Sequence, residues 1–222
     1  MSSLDAQELQ TIYARRFRDN QAYRQRVWRV LVRHIFQPQV PRTGAVLDLG
    51  CGYGEFINTV QAAVKYGMDL NPASAENLAP GVKMLRQDCS ARWELPDDSL
   101  DVVFTSNFFE HLPDKATLTR TLQQARRCLK PGGKLIAMGP NIKYLPGDYW
   151  DFWDHYLPLT GASLSEGLET NGFQVAVCHP RFLPYTTKAA LPSWPMLVKV
   201  YLRVPILHRV LGKQMFVVGV RP

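Results

Sequence analysis

Residues 170–222 contain no aspartate or glutamate, and the chain as a whole is short of features that would assign it to several familiar classes. No uninterrupted apolar stretch of about 20 residues is present, which excludes a membrane-spanning helix. The polar, acidic start Met1-Ser2-Ser3-Leu4-Asp5-Ala6-Gln7-Glu8 has neither the basic beginning nor the apolar core of a secretory signal, so a cytoplasmic protein is expected. Cys51, Cys89, Cys128 and Cys178 include no Cys-x-x-Cys pair. Their spacing suggests neither a disulfide framework nor a zinc site, and free, mostly buried thiols are expected. With 46% hydrophobic and 20% charged residues in 222, the composition excludes intrinsic disorder and suits one globular domain with a sizeable core.

What is present is an uneven distribution of charge. Residues 1–43 hold eight arginines against three acids, a net +5, and residues 44–169 hold eleven basic residues against sixteen acids, a net −5. Residues 170–222 add seven basic residues, which brings the chain to +7. Basic ends around an acidic middle suit an anionic partner such as a membrane surface, a phosphorylated substrate or nucleic acid; an ordinary solvated basic face is the alternative.

Short apolar runs alternate with helix-length segments through the middle of the chain, the pattern of a mostly parallel sheet with helices on both faces, an α/β/α sandwich. The runs predict strands over 45–49, 64–68, 81–85, 99–105, 134–138, 173–178 and 215–220. Helices are expected over 55–61, from Pro72, over 115–129 and over 159–171, the last ended by Gly172. Residues 4–36 carry apolar residues at helical spacing among arginines, which predicts amphipathic helices forming an N-terminal cap over 1–43. A core then spans 44–180 and a last strand 214–222 of the same single domain. Between them, residues 181–213 form a connection long enough to be functional or disordered.

The strongest motif is Val46-Leu47-Asp48-Leu49-Gly50-Cys51-Gly52-Tyr53-Gly54-Glu55-Phe56, an apolar strand running into a turn with alternate glycines. A dinucleotide fingerprint requires its third glycine at position 55, which is Glu55, and the Gly-Lys-Ser/Thr of a phosphate loop is missing. The second strand ends in Asp69 and Leu70, about twenty residues beyond the turn, where an acid can hold both hydroxyls of a ribose. The third ends in Asp88-Cys89, beside the same crevice, where a carboxylate can accept from an adenine amino group. Three strand ends thus converge on one nucleoside.

In these motifs the sequence resembles the class I S-adenosylmethionine-dependent methyltransferases. Asp48 to Gly54 is similar to their first motif, and Asp69 and Asp88 to the acids after the second and third strands. The segments 101–112 and 129–135 resemble their later blocks, so the likeness covers about residues 43–178 and the strand at 215–220. It implies a Rossmann-like seven-stranded fold and transfer of a methyl group from S-adenosylmethionine, with S-adenosylhomocysteine as product. It further implies that Asp48, Gly50, Cys51, Gly52 and Gly54 hold the methionine part, Asp69 and Leu70 the ribose side, and Asp88 and Cys89 the adenine. Ser106 and Asn107 would line the floor near the methyl.

The proton acceptor is open among three residues. His111 follows the fourth strand, and an imidazole there suits a general base, although a Glu-His pair at this place in the family often serves packing and capping. Asp151 and His155 belong to a loop after the fifth strand that interleaves acids with aromatics. There Asn141, Tyr144, Tyr149, Trp150 and Trp153 are candidate acceptor contacts, because aromatic faces stack on sugar rings or other apolar surfaces; an aromatic lid is the alternative. Some relatives hold a divalent ion with Glu-x-x-Glu-His, but Asn107 replaces the first Glu, so no metal is expected. In the late connection, Met196, Leu197, Val200, Val204, Leu207 and Leu211 group opposite Lys199, Arg203, Arg209 and Lys213, with Trp194 and Tyr201 as interface-seeking residues, which is the layout of an interfacial helix. Packing on its own domain is the alternative.

A small-molecule O-methyltransferase acting on a saccharide or lipid-linked saccharide at the inner face of a membrane is the first reading, with quinone-type acceptors a close variant. Pro184-Tyr185-Thr186-Thr187-Lys188 adds to a resemblance to bacterial enzymes of surface-polysaccharide pathways. A nucleic-acid methyltransferase is the second, favoured by a pI near 9.3 but lacking the Asn/Asp-Pro-Pro-aromatic motif. A non-catalytic S-adenosylmethionine-binding protein is the third.

Overall fold

The computed structural model describes residues 21–185 and 195–222. Its strands are β1 (Ala45–Leu49), β2 (Val64–Met68), β3 (Val82–Leu85), β4 (Leu100–Ser106), β5 (Leu129–Pro140), β6 (Gln174–His179) and β7 (Gln214–Val220). They form one sheet in the order β3-β2-β1-β4-β5-β7-β6, parallel except for β7, which runs antiparallel to both neighbours. The order reverses between β1 and β4, and a crevice opens at such a switch point beyond the carboxyl ends of the strands. Register brings those ends level: Leu49 pairs with Met68 on one side and Thr105 on the other.

The central strands are apolar on both faces because both faces are covered. Odd and even positions diverge, as the pleat requires. Leu47, Val103, Leu135 and Val217 pack under α2 (Lys115–Cys128) and α3 (Gly161–Thr170), together with Trp93. Val46, Val102, Phe104, Ile136 and Val218 face the other way, onto Phe36, Phe56 and the N-terminal helix. Phe36 is fully buried, with its ring 4.9 Å from that of Phe104. Burial of one such ring contributes about 1.5–3 kcal/mol.

Several local expectations change. Residues 55–61 form turns rather than a helix: the i→i−4 bonds are confined to Asn58 N–H to Gly54 O and Val60 N–H to Phe56 O, both 2.9 Å. Ile57-Asn58-Thr59-Val60 are poor helix formers. Asn58 instead spans outward, donating to Asn77 O (2.8 Å) and accepting from Ala79 N–H (2.7 Å). β5 begins at Leu129 rather than at residue 134, and its pairing with β4 shifts between Leu100 and Val102.

The N-terminal cap appears as α1 (Gln21–Leu31), continued by a π-helical turn over Val32–Phe36; the helix expected from residue 4 lies, up to residue 20, outside the described residues. The single late helix is two, α4 (Pro195–Arg203) and α5 (Pro205–Leu211), because Pro205 lacks the N–H needed to continue the first. α4 packs against α1 and turns Val198, Tyr201 and Leu202 inward. Its predicted apolar face, Met196, Leu197 and Val200, is exposed. Tyr201 therefore serves the domain rather than an outer surface, while Trp194 and residues 186–188 lie outside the described residues. No helix among the described residues is long and apolar enough to cross a membrane.

Candidate functional site

β1 delivers Asp48 and then a backbone that only glycine follows easily: Gly50, Gly52 and Gly54 have φ of 72°, 48° and 73°. At Gly50 a Cβ would also meet Phe108 at 2.4 Å. Gly52 N–H donates to Asp69 Oδ2 and Asn71 N–H to Asp69 Oδ1, both 2.8 Å, which orients the carboxylate at the end of β2. Burial, reinforced by the Glu55 charge, pushes the pKa of Asp48 well above the usual carboxylate range; burial raises that of Asp69 as well. Arg24 of α1 reaches over this turn, paired to Glu55 at 2.6 Å. Buried carboxylates crowded at one turn favour a ligand that carries positive charge.

The remaining nucleoside-side residues divide. Leu70 is exposed beside Asp69, an apolar surface for a flat ring, and Asp88 is exposed at the end of β3, accepting from Ser90 N–H at 2.7 Å. The Cys89 side chain turns away from the crevice into the core, where it accepts from Thr121 Oγ1 at 3.3 Å and burial pushes its thiol up to about 11. Cys51 is buried too, its thiol pKa raised by burial and the Asp48 charge. For both cysteines it is the backbone that remains to touch a ligand. At the end of β4, Asn107 holds the left-handed conformation, φ 50°, and donates to Ser106 Oγ at 3.2 Å. Its buried Oδ1 has no hydrogen-bond partner among the described residues. Such backbone strain costs about 1–3 kcal/mol and clusters at functional sites.

A second constellation follows at once, because Phe109–His111 form a single 3-10 turn. Glu110 O accepts from Tyr156 N–H (2.8 Å) and Leu157 N–H (3.0 Å), which pins the aromatic-acidic loop to this turn. His111 and His155, far apart in sequence, thereby come to a ring separation of 5.1 Å, with the buried Glu110 carboxylate between the same elements. His111 Nδ1 lies 2.8 Å from Asp154 O and 3.3 Å from Asp154 Oδ2; His155 Nδ1 lies 2.9 Å from Tyr149 O. Tyr149 is buried with its ring 4.7 Å from that of His155, and burial together with the Glu110 charge raises its hydroxyl pKa.

Asp151 is not brought into this cluster. It is exposed, as are Trp150 and Trp153 (57% and 82%). Tyr144 lies under the Arg181 guanidinium at 4.8 Å. Asn141 is buried, and its amide is spent on the backbone, donating to Pro180 O (2.9 Å) and accepting from Lys143 N–H (3.1 Å). Sequence reading leaves Glu110 to packing and overlooks Arg24, Glu55 and Asp154 as members of the site. Glu55 is adjacent to the glycine turn, a usable signal; Arg24 has none, since only packing brings it there.

Residues 20–177, more than half of the chain, match the methyltransferase domain family. The chain belongs to that family. A Mycolicibacterium smegmatis protein named a probable S-adenosylmethionine-dependent methyltransferase is 35% identical over 137 residues, covering 59% of this chain and 52% of the relative. The 2-methyl-6-phytyl-1,4-hydroquinone methyltransferase of a Synechocystis species is 27% identical over 180 residues, covering 70% and 53%. The chain spans about half the length of these curated relatives. The fold matches that of the methyltransferase in complex with the Haloferax volcanii Trm112 activator, with a TM-score of 0.71 at 21% identity over 99% of this chain and 98% of that one. The chain thus carries a methyltransferase domain, and the Mycolicibacterium relative is named for S-adenosylmethionine. The buried acids of this chain suit that cofactor, whose sulfonium and ammonium are both cationic.

Proposed function

We propose that this methyltransferase methylates a hydroxyl of a saccharide or lipid-linked saccharide at an anionic membrane surface. One observation carries the reading: the loop with exposed Trp150 and Trp153 is tied to the chain on either side of α4 and α5, helices that expose Met196, Val200, Ile206 and Val210. The ties are the Lys213–Asp148 ion pair at 3.0 Å and the contact of the Phe152 and Tyr185 rings at 5.9 Å. Aromatic faces that stack on sugars and exposed apolar side chains accompanied by Lys199, Arg203 and Arg209 together make the combination a lipid-linked glycan requires.

In this reading Asp48 and the backbone of residues 50–54 hold the methionine part, Asp69 the ribose, and Leu70, Asp88 and the Cys89 backbone the adenine. Ser106 and Asn107 stand near the reacting methyl. Tyr144, Trp150 and Trp153 receive the acceptor, while Asn141 and Tyr149 keep the loop in place. When bound, S-adenosylmethionine supplies a methyl group already activated on a sulfonium. The chain's own task is to hold the acceptor oxygen about 3–3.5 Å from that carbon and to remove its proton. The Glu110–His111–His155 cluster is where the proton is lost. Asp151, on the exposed turn, steers the acceptor's other hydroxyls.

The test is to incubate the purified protein with methyl-labelled S-adenosylmethionine and host extract, then count label in lipid, polysaccharide, nucleic-acid and protein fractions. Label in polysaccharide, or in lipid that yields a methylated sugar on hydrolysis, is the expected result. Label confined to nucleic acid or protein overturns the reading, and label in sugar-free lipid redirects it to a quinol-type acceptor, as the name of the Synechocystis relative suggests.

A further inference from the structure

We propose that a cavity at the amino ends of the strands is a second ligand site, for the phosphate monoester of a small sugar. It is separate from the crevice at the carboxyl ends and does not rest on the reading of the acceptor given above.

The cavity measures about 540 Å³ and is bounded by the chain before β4, the ends of α2 and α3 and the residue after β7. β4 spans the sheet from Leu100 to Ser106, and at a rise of about 3.3 Å per residue it sets Asn107 about 20 Å away. Every lining residue is polar, charged or glycine, so an apolar ligand would strip water from these groups without replacing it. Arg126, Arg127 and Arg221 stand against Asp97 and Asp98, which leaves the walls one positive charge in excess.

The arginines differ in what they have left to give. Arg127 is spent: Nε donates to Gln124 Oε1 (3.0 Å), Nη1 to Leu95 O (3.0 Å) and to Asp97, and Nη2 to Trp93 O (2.9 Å). Arg126 donates from Nε alone, to Gly172 O at 3.2 Å, so both its Nη groups are uncommitted among the described residues. Gly172 makes room for this guanidinium, since a Cβ there would meet Nε at 2.8 Å. Arg221 spends Nη1 on Asp98, Leu129 O and Arg127 O. Its Nη2 is uncommitted and its Nε is buried without a hydrogen-bond partner among the described residues. The backbone fixes its place: Gly132 N–H donates to Arg221 O (2.8 Å) and Arg221 N–H to Gly133 O (2.9 Å). The carbonyl end of α2 opposes an anion little, because Arg127 O and Cys128 O already accept from Asp98 N–H (3.1 Å) and Ser99 N–H (2.8 Å).

Three guanidinium nitrogens thus remain for an anion. A carboxylate is satisfied by the fork of Arg126, whereas a phosphate monoester has a third oxygen for Arg221 Nη2 and a larger charge. The acids indicate the sugar. Asp97 and Asp98 are exposed, and each spends Oδ1 on an arginine and keeps Oδ2, which accepts from hydroxyls. The same carboxylates repel a bare phosphate, so the hydroxyls and the phosphate are needed together.

The experiment is calorimetric titration of the full chain with glucose 6-phosphate, ribose 5-phosphate, glucuronate and inorganic phosphate, with S-adenosylmethionine binding measured in parallel as the control for folding. Expected is one sugar phosphate per chain, with glucuronate and inorganic phosphate weaker by at least about tenfold. Arg126→Gln should lower the sugar-phosphate affinity at least about tenfold with S-adenosylmethionine binding retained, and Arg126→Lys, which keeps the charge and loses the fork, should fall between. Should Arg126→Gln fail to fold, Arg126→Lys carries the test. Absence of binding by both sugar phosphates overturns the site, and affinity undiminished in the folded Arg126 variants overturns it by placing the ligand elsewhere. Glucuronate or inorganic phosphate binding as tightly as the sugar phosphates overturns the assignment to a phosphorylated sugar.

Discussion

Asp101 shows how one side chain joins distant strands and makes their union depend on pH. Its Oδ2 accepts from Ala45 N–H at the start of β1 and from Lys130 Nζ at the start of β5, both at 2.7 Å. Burial acts to raise its pKa, but the Lys130 ammonium and the Ala45 N–H prevail and hold it below the usual carboxylate range. With the folded value below the unfolded one, about 3.9, the stabilisation is present above that pH and is lost as pH falls through the folded value. Asp101→Asn should therefore lower stability at pH 7 by about 1 kcal/mol, the half-exposed Lys130 limiting the effect. Urea titrations should show the gap to the parent closing below about pH 4; a gap that persists there would contradict the assignment. Asp48 and Asp69 have the opposite sign. Their folded pKa values are raised, so their ionisation costs stability as pH rises, and a cationic ligand offsets that cost.

Among the elements, α2 and α3 were the most legible because their ends carry side-chain chemistry. Asp114 accepts from Thr117 N–H at 2.7 Å, and Thr160 exchanges hydrogen bonds with Ser163 in a capping box, 3.0 Å and 2.9 Å. Gly172, φ 80°, turns the chain after α3 into β6, as expected of a glycine there. Thr160→Ala should destabilise the protein by about 1 kcal/mol, read from the urea midpoint. S-adenosylmethionine affinity should not change, because α3 packs on β6 and β7, at the other side of the sheet from Asp48 and Asp69; a coupled loss of affinity would show the two regions to be linked. The segment 55–61 was misread because apolar spacing is shared by helices and by irregular turns that bury Phe56 and Ile57. Pro205 carried a break that hydrophobic spacing alone conceals.

At the scale of the whole molecule, part of the basic charge from the two ends comes together among the described residues: α4, with Lys199 and Arg203, packs against the arginine-rich α1. The acidic middle keeps its carboxylates for the crevice and for internal pairs such as Asp97–Arg127 and Asp98–Arg221. The protein should sediment with vesicles containing an anionic lipid and not with vesicles of phosphatidylcholine alone. Lys199→Glu with Arg203→Glu should weaken that binding, at about 1 kcal/mol per charge near the surface, and added salt should weaken it further. Unchanged sedimentation of the double variant would reject a membrane role for α4 and α5.

The sequence by itself determined the strand set, the glycine turn and the placement of Asp48, Asp69 and Asp88 toward the carboxyl ends of the first three strands, because each depends on short-range chemistry: alternation along a strand, positive φ, and spacing between strand ends. Only the tertiary structure decided that His111 and His155 meet over Glu110, that Arg24 covers the glycine turn, and that Cys89 faces the core. Those outcomes depend on which loop packs on which strand end and which face a side chain turns inward, and burial energies summed over the whole sheet settle them rather than any local pattern.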